Sequence, residues 1–236
     1  MGQWYVHNAL DEVPEAIKEQ DVGTFNLYKE QIECRVSQKG CVDAGERRDQ
    51  AWDLDKYKFM PMLAKTWRMR PNMEWYVFAE ADSYVFWGNM VKWIRTQLNP
   101  RDRLYLGSLN FLNDVPFAHG GSGYIISGVL LKELIENHPN VDVEYNERAL
   151  SECCGDLLLA IALAEKTGVK TMDAFPMING ETQSTLPFSR DNWCQPILTL
   201  HHMDSQQVSS AWQFEQTRKR NVRHRRGPSR FLAPAC

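Results

Sequence analysis

The sequence predicts an α/β fold in which strands and helices alternate. Short apolar, β-rich runs are separated by segments whose apolar residues recur at helical spacing, and glycine or proline marks the junctions between them. Size agrees: 236 residues are enough to bury a substantial core in a unit of about 100–200 residues, with some chain to spare.

In order, Asp11–Gln20 and Thr24–Cys34 are polar helical stretches, and the charged Lys39–Gln50 segment reads as a surface loop. From Leu54 to Trp67, the residues Phe59, Leu63 and Trp67 recur every fourth position and predict one amphipathic helix, ended by Pro71-Asn72. The aromatic run Glu74–Ala79 predicts a buried strand that runs straight into Glu80-Ala81-Asp82. Ser83 is placed to cap a helix through Trp87, Met90, Val91 and Ile94. Leu104–Leu109 predicts another strand, Phe117–Ser127 joins a glycine cluster to Tyr124-Ile125-Ile126, and Gly128–Asn137 predicts a helix. After an acidic loop, Asp156–Lys166 predicts a helix with Leu157, Ile161 and Ala164 inward and Gly168 as its stop. A turn over Phe175–Pro187 and a strand over Pro196–Leu200 lead to His201-His202. From Arg218 onward the composition changes sharply, and this tail is expected to lie outside the core.

Hydrophobic residues make up 43% of the chain and aromatics 11%, which excludes a disordered class. The net charge of −3 conceals an asymmetry: seven of the 27 lysines and arginines fall between Arg218 and Arg230, a stretch without acidic residues. The preceding 217 residues therefore carry a net −10, which argues against nucleic acid, whose binding needs basic surface. No run approaches the roughly 20 apolar residues that span a bilayer, and no basic-then-apolar leader opens the chain. The six cysteines show no zinc-site spacing. Two readings stand: small buried thiols in a reducing compartment, or disulfides pairing Cys34 with Cys41 and Cys153 or Cys154 with Cys194.

Glu80 and Asp82 emerge from a hydrophobic strand two residues apart, so in an extended chain both point the same way. Carboxylates at the C-terminal edge of an open α/β sheet face the crevice where such sheets bind ligands, and hard oxygen donors suit Mg²⁺ or Mn²⁺ on a substrate phosphate. The plain alternative is a pair of solvated loop carboxylates. His119-Gly120-Gly121-Ser122-Gly123 allows close backbone approach to a ligand but lacks P-loop spacing, and a tight packing loop explains it equally. Asp156 is either a helix cap or a carboxylate placed to deprotonate a hydroxyl. Of His201 and His202, at most one is expected to ligate a metal, because adjacent strand residues face opposite ways.

The order of these motifs is similar to fungal members of glycosyltransferase family 31, which includes Fringe and the core-1 β-1,3-galactosyltransferases. The resemblance is carried by Trp52–Phe59, Trp75–Tyr84, Phe117–Tyr124, Cys153-Cys-Gly-Asp156, Trp193-Cys-Gln-Pro196 and Thr199–His202, between residues 52 and 216. It implies a GT-A fold (a Rossmann-like mixed sheet flanked by helices), a UDP-sugar donor, Mn²⁺ and inversion at the anomeric carbon. By resemblance Asp82 and His201 are the metal ligands and Asp156 the catalytic base. Glu80, Lys58, Gly120 and Gly121 then contact the nucleotide and donor, and Gly123 and Trp193 the acceptor, a glycan or glycoprotein hydroxyl. For Trp193, a sugar platform competes with ordinary packing.

Family members start with a signal anchor, a stem and the first strand of the nucleotide-binding half, and work in the Golgi lumen of the secretory pathway. None of these segments is visible before Gln3-Trp4-Tyr5-Val6. The expectation is thus a GT-A fold with an incomplete first half: residues 1–50 as its N-terminal remnant plus a surface loop, 51–217 as the catalytic core, and 218–236 as a disordered basic tail. Membrane association would depend on an anchor not seen in this chain. The favoured activity is an inverting, Mn²⁺-dependent transfer of galactose from a UDP-sugar in β-1,3 linkage. A shortened, non-catalytic carbohydrate-binding or chaperone-like relative is the alternative, and a metal-dependent hydrolase using Asp82, His201 and Asp156 a third.

Overall fold

A computed structural model describes residues 6–37, 47–187, 189–190 and 192–224. The first half holds α1 (Glu15–Gln20), α2 (Val22–Ser37), α3 (Arg48–Asp55), α4 (Phe59–Met69), β1 (Trp75–Phe78), β2 (Tyr84–Val85), α5 (Trp87–Gln97) and β3 (Tyr105–Gly107). A hairpin of β4 (Leu109–Leu112) and β5 (Val115–Ala118) leads through a 3-10 turn at Gly120–Ser122 to β6 (Tyr124–Ser127). Then come α6 (Gly128–Asn137), α7 (Val141–Arg148), α8 (Gly155–Thr167), β7 (Met172–Asp173), β8 (Thr199–Leu200) and α9 (Ser205–His224).

The architecture is mixed α/β. A four-stranded sheet has the order β1-β6-β3-β7. β6 is antiparallel to both of its neighbours, and β3 and β7 are parallel, so β1, β3 and β7 all run one way. The alternation of side chains along β6 shows how the sheet is covered. Tyr124 and Ile126 join the larger core with α4, α6 and α8, while Ile125 joins the opposite core with Met90 and Ile94 of α5. α8 is capped as its sequence predicts: Gly168 takes φ +73 and its N–H bonds the Ala164 carbonyl at 2.9 Å.

Several expectations are corrected. The helix expected from Leu54 to Trp67 is broken at Lys56–Lys58, because Tyr57 turns fully inward, donates to Asp21 at 2.8 Å and packs its ring 4.9 Å from Phe25. Pro61 marks the restart; a proline fits only the first turn, where its missing N–H has no partner to lose. Ser83 does not cap a helix; Tyr84-Val85 pairs with Thr199-Leu200 and α5 starts only at Trp87. The acidic loop is α7, which buries Val141 and Tyr145 one turn apart and has acidic residues in its first turn and Arg148 in its last, as the helix dipole favours. Leu10, Val13, Ile17, Phe25 and Leu27 share the larger core with residues of α4 and α8, so the N-terminal segment packs onto the rest of the fold. At the other end α9 stays helical through His224, across the boundary drawn at Arg218; residues 225–236 lie outside the described residues.

Candidate metal and base site

The site forms where β1 ends. Antiparallel pairing sets Phe78 opposite Tyr124, which puts the exit of β1 beside the glycine turn that precedes β6. Gly123, just before β6, takes φ +82, and an added Cβ would lie 2.9 Å from the Phe78 carbonyl. The β2–β8 pairing brings the Asp82 loop beside His201. Two hydrogen bonds lock the loops together: Met203 N–H donates to the Asp82 carbonyl at 2.8 Å, and the Ser83 hydroxyl donates to the Gly121 carbonyl at 2.6 Å.

Asp82, His201 and His202 each present one donor atom, all within 4.8 Å of one another. His201 Nε2 lies 3.4 Å from one Asp82 oxygen and His202 Nδ1 3.9 Å from the other. Both histidines thus face the aspartate, contrary to the expectation of one. They follow β8 rather than extending it, and His202 sits at φ +54, which turns its ring back to 3.9 Å from that of His201. Burial holds the His201 imidazole below its ordinary pKa despite the opposing pull of Asp82, and a neutral ring is the form that ligates a metal. One carboxylate with two imidazoles fits a divalent first-row transition ion better than Mg²⁺ or Ca²⁺, which prefer oxygen donors alone.

Glu80 is not part of this group. Lys58 Nζ lies 2.7 Å from its carboxylate and also pairs with Asp55. Burial pushes the Glu80 carboxyl up, and Lys58 only partly offsets that. Burial alone would lower the Lys58 ammonium, but the two carboxylates outweigh it and the net shift is upward. Lys58 does not line the cavity itself; it holds the Glu80 that does.

A cavity of about 480 Å³ is lined by His201, His202, Glu80 and Asp156, while Asp82 stands behind the two histidines and does not line it. Asp156 Oδ2 accepts from Gly120 N–H and Oδ1 from Leu157 N–H, each at 2.8 Å. Burial raises its carboxyl pKa despite these two bonds. Cys154 is the N-cap of α8 by position but makes no side-chain cap bond, whereas Asp156, in the first turn, accepts from Leu157 N–H and so serves the helix end as well as facing the cavity. The glycine turn forms the floor. A Cβ on Gly120 would meet Phe59 at 2.6 Å and Asp156 Cβ at 3.3 Å, and one on Gly121 would meet the His201 ring at 2.3 Å. Gly121 has no positive φ, so alanine there acts through space alone. Gly121→Ala is expected to push His201 aside and weaken Mn²⁺ binding about tenfold, read by calorimetric titration.

The two acceptor-side expectations fall elsewhere. Gly123 is spent on the β1 contact and does not line the cavity. Trp193 is 67% exposed and also off the cavity; its neighbours Cys194 and Gln195 line a different one with Trp93 of α5. Two side chains at the site, His119 and Trp52, were given no individual role from the sequence, and one cysteine pairing differs from expectation. His119 bonds Ser122 Oγ through Nδ1 at 2.7 Å, with its ring 5.4 Å from His201. Trp52 lines the cavity. Cys153 and Cys154 bond to each other ahead of α8, which corrects a pairing of either with Cys194. Cys34 and Cys194 are also disulfide-bonded; Cys41 lies outside the described residues. Compared with models of protein families and with curated proteins, the sequence finds no significant match.

Proposed function

We propose that the chain is an inverting glycosyltransferase with a GT-A type fold, moving a sugar, galactose by resemblance, from a UDP-sugar to a glycan or glycoprotein hydroxyl in β-1,3 linkage. The observation that carries this reading is the separation of two kinds of group across one cavity. His201 and His202, which with Asp82 form a donor cluster, line the cavity beside Gly121, and the raised-pKa carboxylate of Asp156 lines it beside Gly120. Mn²⁺ is the ion the resemblance implies, and when bound it supplies Lewis-acid stabilisation of a leaving diphosphate. Asp156 takes the proton of the acceptor hydroxyl as its oxygen attacks the anomeric carbon, and the bond from that carbon to the diphosphate oxygen breaks on the opposite side. Glu80, held by Lys58, offers carboxylate oxygens to hydroxyls of the donor.

Among the described residues no helix is long and apolar enough to cross a membrane. The disulfide-bonded cysteines support an oxidising compartment, in keeping with a secretory-pathway lumen. Titrating UDP into the chain with and without Mn²⁺ tests the reading. Binding that requires the metal is expected, whereas binding that ignores it, or none at all, returns the chain to the non-catalytic alternative.

A further inference from the structure

We propose that Trp52 is an acceptor-binding residue, its indole carrying the apolar face of a pyranose whose hydroxyl is presented to Asp156. The role of Asp156 rests on the transferase reading above; the sugar-binding step does not. Trp52 lines the cavity and keeps 57% of its surface open to solvent. The end of the cavity on which it stands follows from packing. A Cβ on Gly155 would lie 2.7 Å from the Lys56 carbonyl, so the end of α3 abuts the first turn of α8, beside Asp156. Trp52 is one turn before Lys56 on the same helix face. Cys154 and Asp55 line the cavity as well, so this end combines an aromatic plane, a disulfide and two carboxylates.

A pyranose has matching surfaces. Its axial C–H bonds form an apolar face suited to an aromatic ring, and its equatorial hydroxyls form a polar edge suited to carboxylate acceptors. A serine or threonine hydroxyl would use Asp156 and leave Trp52 unmatched. The uracil of a donor nucleotide would also stack on an indole, but the diphosphate belongs at the His201 end, where Gly121 packs, and Trp52 stands at the Gly120 end with Asp156.

The test uses the full chain as wild type, Trp52→Ala and Trp52→Phe. Saturation-transfer NMR reads binding of methyl β-D-galactopyranoside, methyl α-D-mannopyranoside and an N-acetylserine amide, and calorimetry reads UDP with Mn²⁺. At least one glycoside is expected to show saturation on one ring face, reduced about tenfold in Trp52→Ala and largely restored in Trp52→Phe, with UDP affinity unchanged in both. No glycoside binding to the wild type, or an equal signal in Trp52→Ala, overturns the proposal. A fall in UDP affinity in Trp52→Ala also overturns it, by moving Trp52 to the donor. A Trp52-dependent glycoside signal in a chain that does not bind UDP removes the transferase reading and leaves the sugar site standing.

Discussion

Asp156→Asn is expected to lower turnover about 10³-fold while leaving Mn²⁺-dependent UDP affinity unchanged. The side chain makes its contacts through two acceptor bonds, from Gly120 N–H and Leu157 N–H. Asparagine keeps the shape and one acceptor oxygen, but it turns an amide NH2 toward the second N–H and cannot take a proton. The variant should therefore fold normally, and its stability separates a catalytic role from a structural one. Because burial raises the Asp156 pKa above its unfolded value, the folded state holds this proton more tightly than the unfolded chain does. Ionisation then costs stability as pH rises through the window between the unfolded and folded values, and protonation restores it below that window. At neutral pH the asparagine variant is relieved of the cost of ionising a buried carboxyl but loses one of two accepted bonds, so it should melt close to the wild-type midpoint. The kcat/KM profile of the wild type should rise with pH through the same raised pKa. Wild-type turnover in the variant, or a fall in its neutral-pH melting temperature with turnover intact, returns Asp156 to a structural part of the α8 terminus.

The parts of the fold legible in the sequence were those set by local pattern. Glu74–Ala79 had the composition of a buried strand and contains β1; Gly128–Asn137 has the bounds of α6; Gly168 stopped α8 because a left-handed residue was required there. What was illegible depended on distant partners. The break before α4 follows from Tyr57 meeting Asp21 and Phe25, although Pro61 was a local signal of the restart. α7 was masked by its charge, since its inward residues are Val141, Tyr145 and the polar Asn146.

The site divided in the same way. Asp82, His201 and Asp156 were nameable from strand ends and a helix start, and the structure brings all three to one region. That His202 joins them needed a left-handed turn that no alternation rule contains. The Lys58–Glu80 pair spans 22 positions in sequence, and Trp52 faces the cavity only because α3 packs against α8. The family resemblance suggested Trp193 as a sugar platform, but that side chain points outward, away from the cavity.

Asp82→Ala is expected to abolish the Mn²⁺ dependence of UDP binding, weakening it by about 100-fold or more, whereas Glu80→Gln should change it only a few-fold. The contrast follows from where each carboxylate spends its charge. Asp82 is half exposed and has two imidazole nitrogens as its nearest polar neighbours, at 3.4 and 3.9 Å, a spacing that leaves room for an ion between them. Glu80 has both oxygens within 2.7 Å of Lys58 and is absent from the donor group. Removing Asp82 leaves two imidazoles with no anionic donor, and hard divalent ions bind such pairs weakly. Neutralising Glu80 leaves that cluster whole and changes only the contact with donor hydroxyls. Calorimetric titration of UDP at fixed Mn²⁺, repeated with chelator, reads both variants. Equal losses in the two would mean that the carboxylates act as one metal site despite the Lys58 pairing, and an unchanged affinity in Asp82→Ala would take the metal away from His201 and His202 altogether.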